Sequence, residues 1–203
     1  MSLLEEGLRS WFSGTDLERL QAARVGIAGA GGLGSNVAMF LARSGIRRFV
    51  LVDGDVVEPS NLNRQSFWPE DVGLPKVLAL RDRMKALEPE IDCRARVEWI
   101  RAETACSLFS GCDVVVEALD GAAFKAEFCS TLLTGGFFVV AASGLAGFGK
   151  PPMRVQRLGS RFLCVGDFAS DSEEGEPLLA PRVAQAAALQ ADAVLARILR
   201  PSE

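Results

Sequence analysis

The chain has 203 residues, 49% hydrophobic and 24% charged, with a formal net charge of -4. It contains no His and no Tyr. This excludes a Ser-His-Asp triad, a Cys-His dyad, a His-ligated zinc site and a His proton shuttle. Any chemistry rests on Asp, Glu, Lys, Arg, Cys, Ser, backbone amides or an oxygen-bound metal.

The apolar mass suits one domain with a proper core. The charge balance and the absence of a long basic run predict no nucleic-acid partner and no membrane surface. Glu5, Glu6 and Arg9 interrupt the N-terminal stretch, which therefore does not read as a signal peptide. The cysteines, Cys93, Cys106, Cys112, Cys129 and Cys164, are odd in number and contain no C-x-x-C pair. A cysteine-only zinc site and a disulfide framework are both disfavoured, and a reduced, cytoplasmic protein is expected.

In chain order, residues 17–23 predict a short helix. Val25-Gly-Ile-Ala28 predicts a strand ending in Gly29-Ala-Gly-Gly-Leu-Gly34. Val37, Phe40 and Leu41 then recur at helical spacing up to Ser44-Gly45, and Arg48–Val52 is a second strand. Residues 54–69 form a polar loop. The next helix opens near Lys76, with Pro75 suited to its first position, and Pro89 ends it. Ile91–Val97 is a third strand and Thr104–Phe109 a short helix. Asp113–Glu117 is a buried fourth strand, residues 122–133 a helix, and Phe137–Ala141 a fifth strand.

Strands alternating with helices imply a Rossmann-like α/β fold with a mostly parallel sheet. The last third departs from that pattern. Met153–Leu158 and Arg161–Val165 flank Gly159-Ser160 as an antiparallel hairpin. An acidic loop over 170–176 follows, then a closing helix from Pro181 with Val183, Ala187, Ala191, Val194, Leu195 and Ile198 on one face. The expected organisation is one domain: an N-terminal helical segment (1–24), a nucleotide-binding core (25–150), and a hairpin, acidic loop and closing helix (151–203).

Gly29, Gly31 and Gly34 fit G-x-G-x-x-G between a strand and a helix, and Gly32 adds a further small residue. Such a turn brings backbone close to a phosphate and aims a helix N-terminus at it. Asp53, ending the next strand, suits the ribose hydroxyls. An NAD-dependent oxidoreductase would use these residues. It would leave unexplained the loop that follows, with Asp55, Asn61, Asn63, Arg64 and Gln65, then Lys76. Basic and amide groups beside a nucleotide suit chemistry performed on a phosphate. Asp55 serves either the site or its own loop, Asn63 reads as a turn residue, and Asp167 is left out of the site.

Gly29-Ala-Gly-Gly-Leu-Gly-Ser35, Asp53-Gly-Asp55, Ser60-Asn-Leu-Asn-Arg-Gln65, Lys76 and Asp120 together resemble the ThiF/MoeB/HesA family, bacterial relatives of ubiquitin-activating enzymes. The resemblance continues through Ala142–Gly147, Val165–Phe168 and Leu178–Val183, which look like the short-form ThiF branch acting on the thiamine sulfur carrier ThiS.

The resemblance implies adenylylation, by ATP and Mg²⁺, of the C-terminal carboxylate of a small ubiquitin-like carrier ending in Gly-Gly. Gly29, Gly31, Gly32, Gly34, Asp53, Asn61, Arg64, Gln65 and Lys76 would bind the nucleotide. Arg64, Lys76 and Asp120 would be catalytic, and Asp120 would hold the metal. It also implies a homodimer, in which an N-terminal arginine, Arg19 or Arg9, reaches the partner's nucleotide.

The family's zinc-binding C-x-x-C pairs are missing, so no zinc is expected. Cys164 reads as a structural thiol, which would leave sulfur delivery to a separate donor protein. Activation of another acceptor, a molybdopterin carrier or a modified tRNA base, stays open, as does a non-catalytic nucleotide-binding module. The glycine-rich stretch Ser143–Gly149 is expected to wall a groove for the carrier tail.

Overall fold

The computed structural model describes residues 1–170 and 175–200. Seven strands form one sheet: β1 (Arg24–Ala28), β2 (Arg48–Val52), β3 (Asp92–Arg96), β4 (Val114–Glu117), β5 (Val139–Ala142), β6 (Arg154–Gly159) and β7 (Phe162–Gly166). Their spatial order is β3-β2-β1-β4-β5-β7-β6, and every neighbouring pair is parallel except β6–β7. The helices are α1 (Leu3–Leu8), α2 (Gly14–Ala22), α3 (Gly32–Arg43), α4 (Lys76–Leu87), α5 (Ala105–Leu108), α6 (Ala122–Thr134) and α7 (Ala180–Leu199). This is the Rossmann-like α/β class with an antiparallel C-terminal hairpin that the alternation predicts.

Period-two alternation sends neighbouring residues to opposite faces of the sheet. Val25, Ile27, Phe49, Leu51, Val114, Val116, Val140, Leu163 and Val165 pack with α3, α4 and α7 on one side. Ala28, Val50, Val52, Val115, Val139, Ala141 and Cys164 pack with α5 and α6 on the other. On the second side Phe109 and Phe128 meet edge-to-face, centroids 6.0 Å apart. Truncating either to Ala would cost about 3–5 kcal/mol. The central strands are buried on both faces, which is why they read as apolar runs. Edge strand β3 alternates exposed and half-buried residues.

Three details differ from the sequence expectations. The helical segment expected over 1–24 holds two helices, α1 as well as the one expected at 17–23; the six residues of α1 are too few to display a helical period. Ser2 caps it by accepting from the Glu5 N–H, and buried Glu5 pairs with Arg47 at 2.8 Å. Arg47 also reaches Glu88 and Glu90, at 3.3 and 2.7 Å, tying the N-terminal segment to the α4–β3 corner. Pro75 is the N-cap of α4, extended at ψ 128, and not its first helical residue. Strand β5 begins at Val139 instead of Phe137. The hairpin and closing helix lie where expected, although residues 171–174 of the acidic loop are outside the described residues.

Strand β1 has β2 on one side and β4 on the other, so the chain leaves β1 toward one half of the sheet and returns into the other. Loops at the C-terminal ends of β1 and β4 therefore part from each other and leave a crevice, the position where open α/β sheets bind ligands.

Candidate active site

The crevice is a cleft of about 1240 Å³. Gly29, Gly31, Gly32, Asp53, Asp55, Asn61, Arg64, Gln65, Lys76 and Asp120 all line it. Separate stretches of chain thus converge on one volume: the ends of β1, β3, β4 and β5, and the end of β2 with the loop over 54–75 that continues it.

The glycine turn is built by close packing. Gly29 has φ +91, and a Cβ there would lie 2.4 Å from the Ala118 carbonyl oxygen of the β4 loop. Gly34 does not line the cleft. A Cβ on it would strike the Gly29 carbonyl at 1.9 Å, so this glycine lets α3 sit on the turn and does not face a ligand. No side chain caps α3. An uncapped helix N-terminus with its dipole directed into a cleft favours an anion.

Ser35 and Asn36 tie that turn to the polar loop. Ser35 Oγ donates to the Gly31 carbonyl (2.7 Å) and accepts from the Ser66 N–H (3.0 Å). Asn36 Nδ2 donates to the carbonyls of Gly32 (2.6 Å) and Arg64 (2.9 Å), and its Oδ1 accepts from Ser66 Oγ (2.9 Å).

The predicted residues divide by how much of each is already engaged. Asp53 accepts from the Ala30 N–H at 2.6 Å and from the Asp55 N–H at 2.7 Å, fixing its carboxylate across the turn with lone pairs to spare. Asn61 Oδ1 accepts from the Glu58 N–H at 3.0 Å and its Nδ2 donates to Ser60 Oγ at 3.4 Å, so both ends of that amide touch its own loop, with one N–H left over. Arg64 Nη1 donates to the Ser60 carbonyl (3.0 Å) and Asn63 Oδ1 (2.8 Å), leaving the rest of a fork that suits phosphate. Lys76 is 6% exposed, and its Nζ holds Asp55 Oδ2 at 2.7 Å. Asp55 thus anchors Lys76 and also lines the cleft. Gln65 is buried and its amide oxygen has no partner, a state costing about 1–3 kcal/mol until a ligand or water satisfies it.

Asp120 is exposed at the cleft, two residues before α6, whose N-terminus also lacks a side-chain cap. No group of three or more potential metal-ligating residues exists among the described residues. A single carboxylate fits Mg²⁺ that takes its other ligands from phosphate and water, and does not fit a structural zinc.

Several cleft residues were not singled out from sequence. Glu117, fully buried at the end of β4, accepts from the Leu119 N–H at 2.7 Å and pairs with Lys125 of α6 at 3.3 Å. Burial raises its pKa above the usual carboxylate range despite Lys125. Trp99 and Ile100, past the end of β3, form another part of the wall. Asp167, left out of the site, does not line the cleft but braces the loop that does. It accepts from the N–H groups of Ala169 and Ser170, each at 2.9 Å, and from buried Arg182, which donates in turn to the Pro151 carbonyl at 3.0 Å. Burial opposes its ionisation, but these donors outweigh it and hold its pKa low. Only pairing across 15 residues could have revealed this from sequence.

Four of the five thiols are poorly suited to nucleophilic work. Burial pushes Cys93, Cys112 and Cys129 up to about 12 and raises Cys164 as well. Arg19 and Arg9 lie outside their own chain's cleft, paired with Asp16 (3.6 Å) and Glu5 (2.6 Å).

The chain matches the ThiF family over residues 6–203. It belongs to the ThiF family. The sulfur carrier protein adenylyltransferase of Thermus thermophilus is 41% identical over 104 residues, covering 51% of this chain and 38% of that protein. The adenylyltransferase and sulfurtransferase UBA4 of Yarrowia lipolytica is 35% identical over 126 residues, covering 62% and 32%. The match thus spans about a third of the length of these curated relatives. Among solved structures, E. coli tRNA N6-threonylcarbamoyladenosine dehydratase, TcdA, in complex with ATP superimposes with a TM-score of 0.87 over 97% of this chain and 94% of that one. At 20% identity the likeness establishes the fold that this ThiF-family chain shares.

Proposed function

We propose that this ThiF-family chain adenylylates the C-terminal carboxylate of a small ubiquitin-like sulfur carrier ending in Gly-Gly, in a reduced, cytoplasmic setting. The short-form ThiF resemblance favours ThiS and the thiamine thiazole as the destination. The observation that carries this reading is the convergence of Asp53, Arg64, Gln65, Lys76 and Asp120 on one cleft beside the glycine turn.

The chemistry needs no general base. The carrier carboxylate is ionised at neutral pH. One of its oxygens attacks the α-phosphorus of ATP, the bond from that phosphorus to the bridging oxygen breaks, and pyrophosphate leaves with the electron pair. Asp53 orients the ribose. Arg64 and Lys76 oppose the charge gathering on the departing pyrophosphate, and Gln65 and Asn61 supply amide contacts. Asp120 would hold Mg²⁺, which neutralises phosphate charge when bound. The buried thiols support an enzyme that stops at the acyl-adenylate, with sulfur supplied by a separate protein. A homodimer, with Arg19 or Arg9 reaching across, belongs to the same proposal.

The deciding experiment is ATP–pyrophosphate exchange with a panel of carriers. Exchange with ThiS alone is the expected result. Exchange with a molybdopterin carrier, or ATP turnover driven by tRNA, would replace the acceptor and keep the enzyme class. Tight NAD(H) binding with no ATP turnover would overturn the class itself.

A further inference from the structure

We infer that the indole of Trp99 is the surface on which the purine of the bound nucleotide stacks, and so that this residue sets much of the affinity for the nucleoside part of the substrate. The inference rests on reading the cleft as an ATP site.

The backbone between β2 and β3 puts Trp99 beside the ribose carboxylate. The two strands run in register with Val52 opposite Arg96, and the Asp53 N–H donates to the Arg96 carbonyl at 3.2 Å. Trp99 follows three residues later. Its ring returns over Gly54, the neighbour of Asp53. A Cβ built on Gly54 would meet indole Cδ2, Cε2 and Cγ at 2.8, 2.9 and 3.1 Å. Three ring atoms at nearly equal range mean that the ring lies flat on the Gly54 backbone and does not meet it edge-on. One face is therefore spent on Gly54. Yet the residue is 72% exposed and lines the cleft with Glu98 and Ile100.

A large flat apolar surface, braced from behind and open toward a polar cleft, is what a nucleobase covers. Base–aromatic stacking is favourable and tolerant of base identity. The geometry also accounts for Gly54: any side chain there would lift the indole off its support. The other tryptophans lack this setting. Trp68 carries the Arg83 guanidinium 4.0 Å from its ring centroid, and Trp11 lies outside the cleft.

The test uses the full chain with Trp11 and Trp68 changed to Phe, so that fluorescence reports on Trp99. ATP and AMP should quench it, and inorganic triphosphate should not. By calorimetry, Trp99→Ala should raise the Kd for ATP about tenfold, leave triphosphate binding unchanged, and leave the melting temperature near wild type because the ring is exposed. Trp99→Phe should recover most of the affinity, and Gly54→Ala should mimic the loss by displacing the ring. Wild-type ATP affinity in Trp99→Ala would overturn the inference while leaving the nucleotide site standing. A folded wild-type protein that binds triphosphate but not ATP, or neither, would remove the nucleotide reading and this inference together.

Discussion

The two walls of the cleft are held in different ways. The wall made of the glycine turn and residues 54–76 is fastened by side chains that belong to it. Ser35, Asn36 and Ser66 form one set of bonds and Asp53, Asp55 and Lys76 another, all of 2.6 to 3.0 Å, and the two meet at the neighbouring Ala30 and Gly31. The opposite wall includes residues 143–146, the part of the glycine-rich stretch expected over 143–149 that lines the cleft, and this part is braced from behind. Asp167 and Arg182 clamp the strand end and the Pro151 carbonyl, Ser170 Oγ accepts from the Ala146 N–H at 3.2 Å, and Lys150 holds Glu176 at 2.6 Å. The first arrangement preorganises donors for a small charged ligand, which must be met with little rearrangement. The second shapes a passage by backbone position, as an extended peptide tail would need. The comparison therefore predicts that nucleotide and carrier defects separate by wall.

The largest effect should come from the first wall. Arg64→Ala and Lys76→Ala should each lower pyrophosphate exchange by about 100-fold or more, the usual result of removing a group that stabilises developing charge. For Arg64→Ala the melting temperature should stay near wild type, because the guanidinium contacts only its own loop. Exchange that survives in both variants would undo the roles given to them. Next in size is Arg182→Met, which leaves Asp167 buried without its ion-pair partner. Such losses cost about 3–5 kcal/mol. Asp167 keeps its three bonds to Ala169 and Ser170, so the low end is expected. About 3 kcal/mol corresponds to roughly 6–12 °C in Tm for a chain of this size. Among folded molecules, KM for the carrier should rise while ATP affinity holds. Equal damage to both would mean that the walls are not separable.

This division also explains what the sequence made legible. Residues of the first wall follow one another closely, from Gly29 to Asn36 and from Asp53 to Lys76, so local motifs reveal them. The order of strand, glycine turn and helix fixes the crevice for the same reason. The braces of the second wall join Asp167 to Arg182 and Pro151, and Lys150 to Glu176, across loops with no pattern of their own. Trp99 was invisible for a related reason. Its place depends on β3 lying beside β2, and an isolated Trp in a polar stretch carries no signal of that pairing. Glu117 was read as the last residue of an apolar strand. Its burial follows only from α6 covering that end of the sheet.

A smaller effect tests the fastening of the first wall itself. Ser66→Ala removes the bond to Asn36 Oδ1 and leaves the Ser66 N–H to Ser35 intact. One such bond is worth about 1 kcal/mol. KM for ATP should rise by about fivefold at most, with KM for the carrier unchanged, as steady-state exchange would register. A change confined to the carrier would reverse the assignment of the walls.

The smallest effect concerns proton uptake by the buried acids, which act in opposite directions. Asp167 and Glu88 have lowered pKa values, the donors around each outweighing the cost of burial. Each adds stability above its unfolded value, and that stability is lost as pH falls through the folded value. Glu117 is raised, so the folded state takes up its proton before the unfolded state does, and this group favours folding increasingly as pH falls from above its folded pKa toward its unfolded one. Glu117→Gln should remove that component alone. In urea titrations at a series of pH values from 5 to 8, wild type should lose ground to the variant as pH rises, while the acid limb due to Asp167 and Glu88 stays. A constant difference between the two proteins would mean that Lys125, 3.3 Å away, keeps Glu117 ionised throughout, and that the inner end of the cleft carries a full ion pair.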